Sequence, residues 1–303
     1  PLTLTNFVEH YELNLQAIYK KGCSFARLCV MAGKREDFSE ELESDKFTKA
    51  LARVALIDSR HWIEFILNSF ANLENLKPEN LSLLEKRMLR MLQFTIWQKD
   101  YQDCGFSDEL DGLRKIKSCK VLYDELIEVL KYSYNKIDFI DKAPMLDFDC
   151  PLNVYCNYSR DQIFAALDVN NPLSIREGVK FVADKKLDVL LNTLNKSSKQ
   201  YSPTTMYNDY SINEWLFHWQ SQSTTSAESP TGKRYINHKK LGSKVLLFVR
   251  ENKKDMYGNA ETYTFLGTVN YVRHDGSNPM NIIWKLDNPI PAKFLKKTNK
   301  LVI

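Results

Sequence analysis

Along roughly the first 140 positions, apolar residues recur every three or four places with polar residues between them, the spacing of amphipathic helices. Phe7, Tyr11, Leu15 and Ile18 make the first such stripe, and Gly22 ends it. Ser44 or Asp45 is placed to cap a helix carrying Phe47, Leu51, Val54 and Leu56. Asp58 or Ser59 is placed to open another carrying Trp62, Phe65, Ile66 and Phe70. Pro78 precedes a strongly periodic run through Leu84, Met88, Leu92 and Ile96, and Ser118 precedes one through Leu122, Leu126, Leu130 and Tyr134. Periodic segments joined by short polar connections predict an all-helical bundle over residues 1–145.

The period is lost across residues 138–158, where Pro144 and Pro151 fall, and this stretch is read as a domain boundary. Ser159 then caps a short helix, SRDQIFAAL. From about residue 176 the pattern alternates. Strands are expected at Val179–Val182, Leu187–Leu191, Asn213–Gln220, Lys244–Arg250, Tyr263–Val272 and Asn281–Leu286, with turns at Asp184-Lys185-Lys186, Gly258-Asn259 and Asp275-Gly276. Residues 146–303 are therefore expected to form a small, mostly-β curved sheet or barrel, and the chain as a whole an α+β protein.

Composition narrows the setting. No run of about 18 apolar residues occurs, so no transmembrane helix is expected. Cys23, Cys29, Cys104, Cys119, Cys150 and Cys156 show no zinc spacing, so reduced thiols of a cytoplasmic protein and no metal site are expected. The chain opens on Pro1 without a basic-then-apolar leader, which reads as a processed chain or a piece of a longer one. Its net charge of +4 hides an asymmetry. Residues 1–150 hold 21 basic and 25 acidic side chains, while residues 151–303 hold 21 and 13. The C-terminal half is therefore the one suited to a polyanion.

That half also contains the segment YSPTTMYNDYSINEWLFHWQSQSTT, in which Tyr201, Tyr207, Tyr210, Trp215, Phe217 and Trp219 alternate with Asp209, Asn213, His218, Gln220, Ser221 and Gln222. Flat rings stack a nucleobase, and amides, hydroxyls and carboxylates read its edge. Tyr201, Tyr207, Asp209, Tyr210 and Trp215 are candidates for holding a modified base. His218, Trp219, Gln220, Ser221 and Gln222 are candidates for reading or filling the duplex. Directly after them, Ser229-Pro230-Thr231-Gly232 opens a basic group whose Lys233, Arg234, His238 and Lys239 are candidates for phosphate contact. A second group, Lys293, Lys296, Lys297 and Lys300, reads as a solvated helix face. No glycine-rich phosphate loop, nucleophile elbow or other catalytic constellation is present. Glu251 and Lys253 have the Glu-x-Lys spacing of many metal-dependent nucleases, which keeps that alternative open. A protein–protein docking module, with the rings as its hot spot, is the other alternative.

The blocks YSRDQIFAAL, REGVKFVADKKLDVLLNTLNK, HWQSQSTTS, SPTGKRYINHKKLGSKVLLFVRE, TFLGTVNYV and NPIPAKFLKKTN closely resemble a C-terminal family of bacterial superfamily II helicase-like proteins. In that family the region follows a phospholipase D-type nuclease domain and a helicase core. Its members include ATP-dependent type IV restriction enzymes, which cut DNA containing 5-methylcytosine. The resemblance implies a modification-dependent recognition domain similar to SRA or PUA-like barrels, acting by base flipping in phage defence. The helical part resembles, more loosely, the connector to the helicase. The helicase motifs and the paired His-x-Lys nuclease motif are not in this chain, so it is expected to be non-enzymatic and without its own cofactor. ATP and Mg2+ would belong to the parent enzyme. The partners implied are double-stranded DNA with 5-methylcytosine and the helicase and nuclease domains of the same parent, with no membrane.

Overall fold

Amphipathic stripes become helices where a side chain is available to cap them. In the computed structural model, which describes residues 2–195 and 209–298, the N-terminal helices are Leu4–His10, Leu15–Ile18, Phe25–Met31, Ser44–Val54, Arg60–Ala71, Leu83–Ile96, Asp111–Ser118 and Lys120–Lys136. Ser59 caps its helix as expected, accepting the Trp62 amide. The stripe from Phe7 to Ile18 is two helices, because Glu12 takes a left-handed φ of 50° and Asn14 caps a new start. Pro78 lies in a separate 3-10 turn, and the helix after it begins at a reciprocal Ser82–Glu85 capping box. Ser118 ends one helix and Cys119 begins the next. The helix Phe25–Met31 is capped from a distance: Glu125, buried on Lys120–Lys136, accepts the amides of Phe25 and Ala26 at 2.7 and 2.8 Å and the Tyr19 hydroxyl at 2.8 Å.

The alternating half forms a mixed, open sheet of eight strands: β1 (Asn157–Tyr158), β2 (Val179–Val182), β3 (Leu187–Thr193), β4 (Tyr210–Ser211), β5 (Leu216–Gln220), β6 (Lys244–Arg250), β7 (Tyr263–Asp275) and β8 (Asn281–Leu286). Their order is β2-β3-β6-β7-β8-β5-β4, with β1 paired to the start of β7. All neighbours are antiparallel except β3 and β6, which run parallel from Leu187↔Lys244 to Thr193↔Arg250. The crossover between those two strands carries β4, β5 and the helix Pro230–Asn237. Helices Arg160–Ala166 and Ala292–Thr298 complete the chain, so the α+β class holds.

Alternation along the strands divides the apolar side chains between two cores. Val189 and Leu191 of β3, Leu246 and Phe248 of β6, and Tyr263 and Phe265 of β7 join a core built with the N-terminal helices. Leu190 of β3, Val245, Leu247 and Val249 of β6, Phe217 and Trp219 of β5, and Trp284 of β8 form the second core with Tyr235. Strands β3 and β5 have three strands between them in the order, yet both contribute side chains to that second core.

A candidate nucleic-acid cleft

A cleft of about 720 Å³ opens where β3 and β6 end and β7 begins. That is within the size range of sites for small organic ligands. Its floor is made by strand register. Because Thr193 pairs with Arg250, the Thr193 Oγ1 lies 2.9 Å from Arg250 Nε and accepts its proton. The Arg250 Nη1 donates to the Glu261 carbonyl at 3.1 Å, and its guanidinium lies 4.4 Å from the centre of the Tyr263 ring. Tyr263 is placed by pairing with Tyr158 of β1, and its hydroxyl accepts a hydrogen bond of 3.2 Å from Arg160 Nη2. Arg160 is the first residue of a helix held by a Ser159–Gln162 capping box, and its Nη1 donates to the carbonyls of Ile175 and Arg176.

The opposite wall comes from the aromatic segment. Asp209, Trp219, Gln220 and Gln222 all line the cleft. Asp209 is 2 % exposed, and its Oδ1 accepts the Gln220 amide at 2.9 Å. The Gln220 side chain donates to Asn281 Oδ1 at 3.1 Å. Trp219 turns most of its ring into the second core, edge-on to Tyr235 with 5.4 Å between centroids.

The remaining candidates are placed elsewhere. Tyr201 and Tyr207 lie outside the described residues. Tyr210 and His218 stack on one another across β4 and β5, with centroids 4.7 Å apart and planes 14° from parallel. Trp215 is 42 % exposed in the turn between those strands, where Asn213 Oδ1 accepts its amide. Ser221 is buried: its hydroxyl accepts the Met280 amide and its own amide donates to the Met280 carbonyl.

The four phosphate candidates sit on or just after the helix Pro230–Asn237, which the Ser229-Pro230 pair starts, with Ser229 accepting the Gly232 amide. Arg234 makes a bidentate pair with Asp188, at 2.7 and 2.8 Å, over the face of Phe181. Asp188 stands near the beginning of β3 and the cleft lies at its end, roughly 17 Å further along an extended strand. His238 is buried, bonding Ser243 O through Nδ1 and accepting the Tyr271 amide at Nε2. Burial lowers its pKa, which agrees with a neutral ring held in that tautomer. Lys233 and Lys239 face solvent, the former 3.3 Å from Glu228. The base-side and phosphate-side candidates thus occupy two regions of the molecule.

Arg160, Arg250 and Tyr263 were not among the residues singled out from the sequence. The available signal was Arg250 itself, a charge closing an otherwise apolar strand, KVLLFVR, whose end is buried. Glu251 and Lys253 follow it. Glu251 lines a neighbouring cleft of about 910 Å³ between the helices and the sheet, whereas Lys253 lines this one. Among the described residues, no group of three or more His, Cys, Asp or Glu is arranged to hold a metal ion, and no helix is long and apolar enough to cross a membrane. All six cysteines are free, and burial pushes the thiols of Cys119 and Cys150 up to about 12.

Residues 152–297 match a family described as a domain of unknown function, DUF3427. Every residue lining the cleft falls inside that segment. Among curated proteins, none matches the chain.

Proposed function

We propose that this cleft receives a 5-methylcytosine extruded from double-stranded DNA, making residues 152–297 the target-recognition part of a helicase-associated, SauUSI-like type IV restriction enzyme. The observation that carries the proposal is the meeting of Asp209, Trp219, Gln220 and Gln222 at one concave site in a domain bearing a positive charge excess. Extrusion costs a few kcal/mol, which stacking and edge contacts must recover. Asp209 accepts from the cytosine exocyclic amine, the donor carboxylates read. Trp219 and Tyr263 are rings that line the cleft, and stacking contributes roughly 1–3 kcal/mol per base. A fully buried methyl adds only about 0.8 kcal/mol, so discrimination against unmodified cytosine is modest unless the empty niche is itself unfavourable. Translocation, cutting, ATP and Mg2+ belong to the helicase and nuclease domains of the parent, and the helical half joins them to the recognition domain.

Fluorescence anisotropy with matched methylated and unmethylated duplexes over a salt series tests this. The methylated duplex binds tighter, and both affinities fall as salt rises. Asp209→Asn keeps an oxygen for the Gln220 amide but turns a donor toward the cytosine amine. It is expected to lower affinity for the methylated duplex at least about tenfold, within the cost of a mispaired base edge. Equal binding of the two duplexes by the native chain would instead favour a docking module, for which the exposed Trp215 is the candidate hot spot. Degradation of either duplex on adding magnesium would favour the nuclease alternative.

A further inference from the structure

We propose that Arg250, Arg160 and the Tyr263 hydroxyl form a phosphate site on the floor of the cleft, which takes the phosphate of the nucleotide whose base occupies it. The proposal deepens the base-binding function above and rests on it for the identity of the nucleotide. Arg250 is 9 % exposed, a buried residue that nonetheless lines the cleft. A buried charge needs a partner of opposite sign. Among the described residues, however, its hydrogen bonds go to a hydroxyl and a backbone carbonyl. The nearby Glu261 carboxylate acts on Arg250 through space, while its hydrogen bonds go to the amides of Glu251 and Asn252 at 3.3 and 2.9 Å.

A guanidinium has five N–H donors. Nε and Nη1 of Arg250 each use one on Thr193 and Glu261, which leaves the remaining donors on a residue that lines both this cleft and the neighbouring one. Among the described residues, Arg160 donates its hydrogen bonds to carbonyls and to the Tyr263 oxygen, with Glu177 acting on it through space. The Tyr263 hydroxyl is an acceptor in that bond, so its own proton remains to be given. Two cations joined through one phenol, neither hydrogen-bonded to a carboxylate among the described residues, are a preorganised receptor for an oxyanion. Forked guanidinium donors match the spacing of phosphate oxygens, which lysine does not do as well. Arg176, Lys253 and Lys254 line the same cleft, whose lining also includes Asp161, Glu177, Asp209 and Glu261, so its basic side chains outnumber the acidic ones by five to four.

The full chain is titrated with 5-methyl-dCMP, dCMP and the nucleoside 5-methyldeoxycytidine, by calorimetry or NMR. 5-Methyl-dCMP is expected to bind at least about tenfold tighter than its nucleoside, the scale of charge-assisted hydrogen bonds. Arg250→Gln should erase that factor while leaving the nucleoside affinity in place. Arg250→Lys should restore part of it. Arg160→Gln, a change at a half-buried position, provides the same readout if Arg250→Gln does not fold. The phosphate site is overturned if nucleoside and nucleotide bind equally to the native chain, if folded variants keep the tenfold factor, or if none of the three ligands binds. Equal affinity for dCMP and 5-methyl-dCMP, with the phosphate factor intact, overturns only the methyl-reading function.

Discussion

Arg234 and Lys233 are neighbours in sequence and differ in what they hold together. Lys233 stands in solvent, and its removal costs little stability. Arg234 neutralises Asp188, whose side chain is only 3 % accessible, and its loss strands a buried carboxylate. Arg234→Ala is therefore expected to destabilise the fold by about 3–5 kcal/mol, measured by denaturant unfolding, with no change in the salt slope of DNA binding. Lys233→Ala and Lys239→Ala should each leave stability unchanged. Where either contacts phosphate, the salt slope should fall by about one. Sequence alone could not make this distinction, because a basic cluster looks the same whether its charges face water or each other. Arg250 was overlooked for the converse reason: a charge at a strand end usually lies in solvent. Asp58 is a third residue that only the tertiary structure explains. Burial pushes its carboxyl up to about 7 even though Asn157 donates to it twice. Between about pH 4, where the unfolded chain loses this proton, and about pH 7, where the folded chain does, the folded state binds more protons. Stability from this group is thus full at the acidic end and is lost as pH rises through 7. Thermal melts across that range should show a downward slope, and Asp58→Asn should reduce it by the equivalent of about one proton.

At the scale of elements, the sequence was most legible where local chemistry decides the outcome. Ser59 and Ser159 cap as expected, because a hydroxyl before a periodic stripe satisfies an orphan amide whatever else surrounds it. The strands at β2, β3, β6 and β8 follow the apolar alternation closely. The parallel pairing of β3 with β6 was not legible, since it joins segments about fifty residues apart and no turn sequence marks it. Nor was the bulge in β7. Leu266 and Val269 both face the second core, although an unbroken strand would place them on opposite faces. The register shift opposite Leu247 and Phe248 supplies the extra residue, and Gly267 makes it possible at a φ of 94°. A Cβ there would also lie 3.0 Å from Asn288 Nδ2 and 3.4 Å from Val154. Gly267→Ala is expected to cost more than about 1 kcal/mol and to shift near-ultraviolet circular dichroism, because Trp284 and Phe265 pack on either side of the re-phased strand.

For the whole molecule, the change of period near residue 146 marks where helices give way to strands, but the packing runs straight across it. One buried cluster contains Leu4 at one extreme and Phe265 at the other. Polar contacts cross the same line. Asp58 accepts from Asn157, Gln162 donates to Thr95 at 2.9 Å, and Arg90 donates to the carbonyls of Ala165 and Val169. Trp62 lies 6.4 Å from Tyr158, ring centre to ring centre. An open sheet covered by helices on one face and bearing the second core on the other cannot give up the helices without wetting Val189, Leu246, Phe248 and Phe265 together. Exposed apolar surface on that scale drives self-association. Scanning calorimetry of the full chain should accordingly show one transition with equal calorimetric and van't Hoff enthalpies. A fragment of residues 146–303 should melt lower and associate on a sizing column. Two resolved transitions, or a monomeric fragment melting with the parent, would mean that the cleft is supported by the sheet alone. In that case the helices could move against the sheet without disturbing the cleft. If the unity holds, strain raised in the cleft reaches the helical half through Asn157, Tyr158 and the helix Arg160–Ala166, which touch both the cleft-forming strands and the helical core.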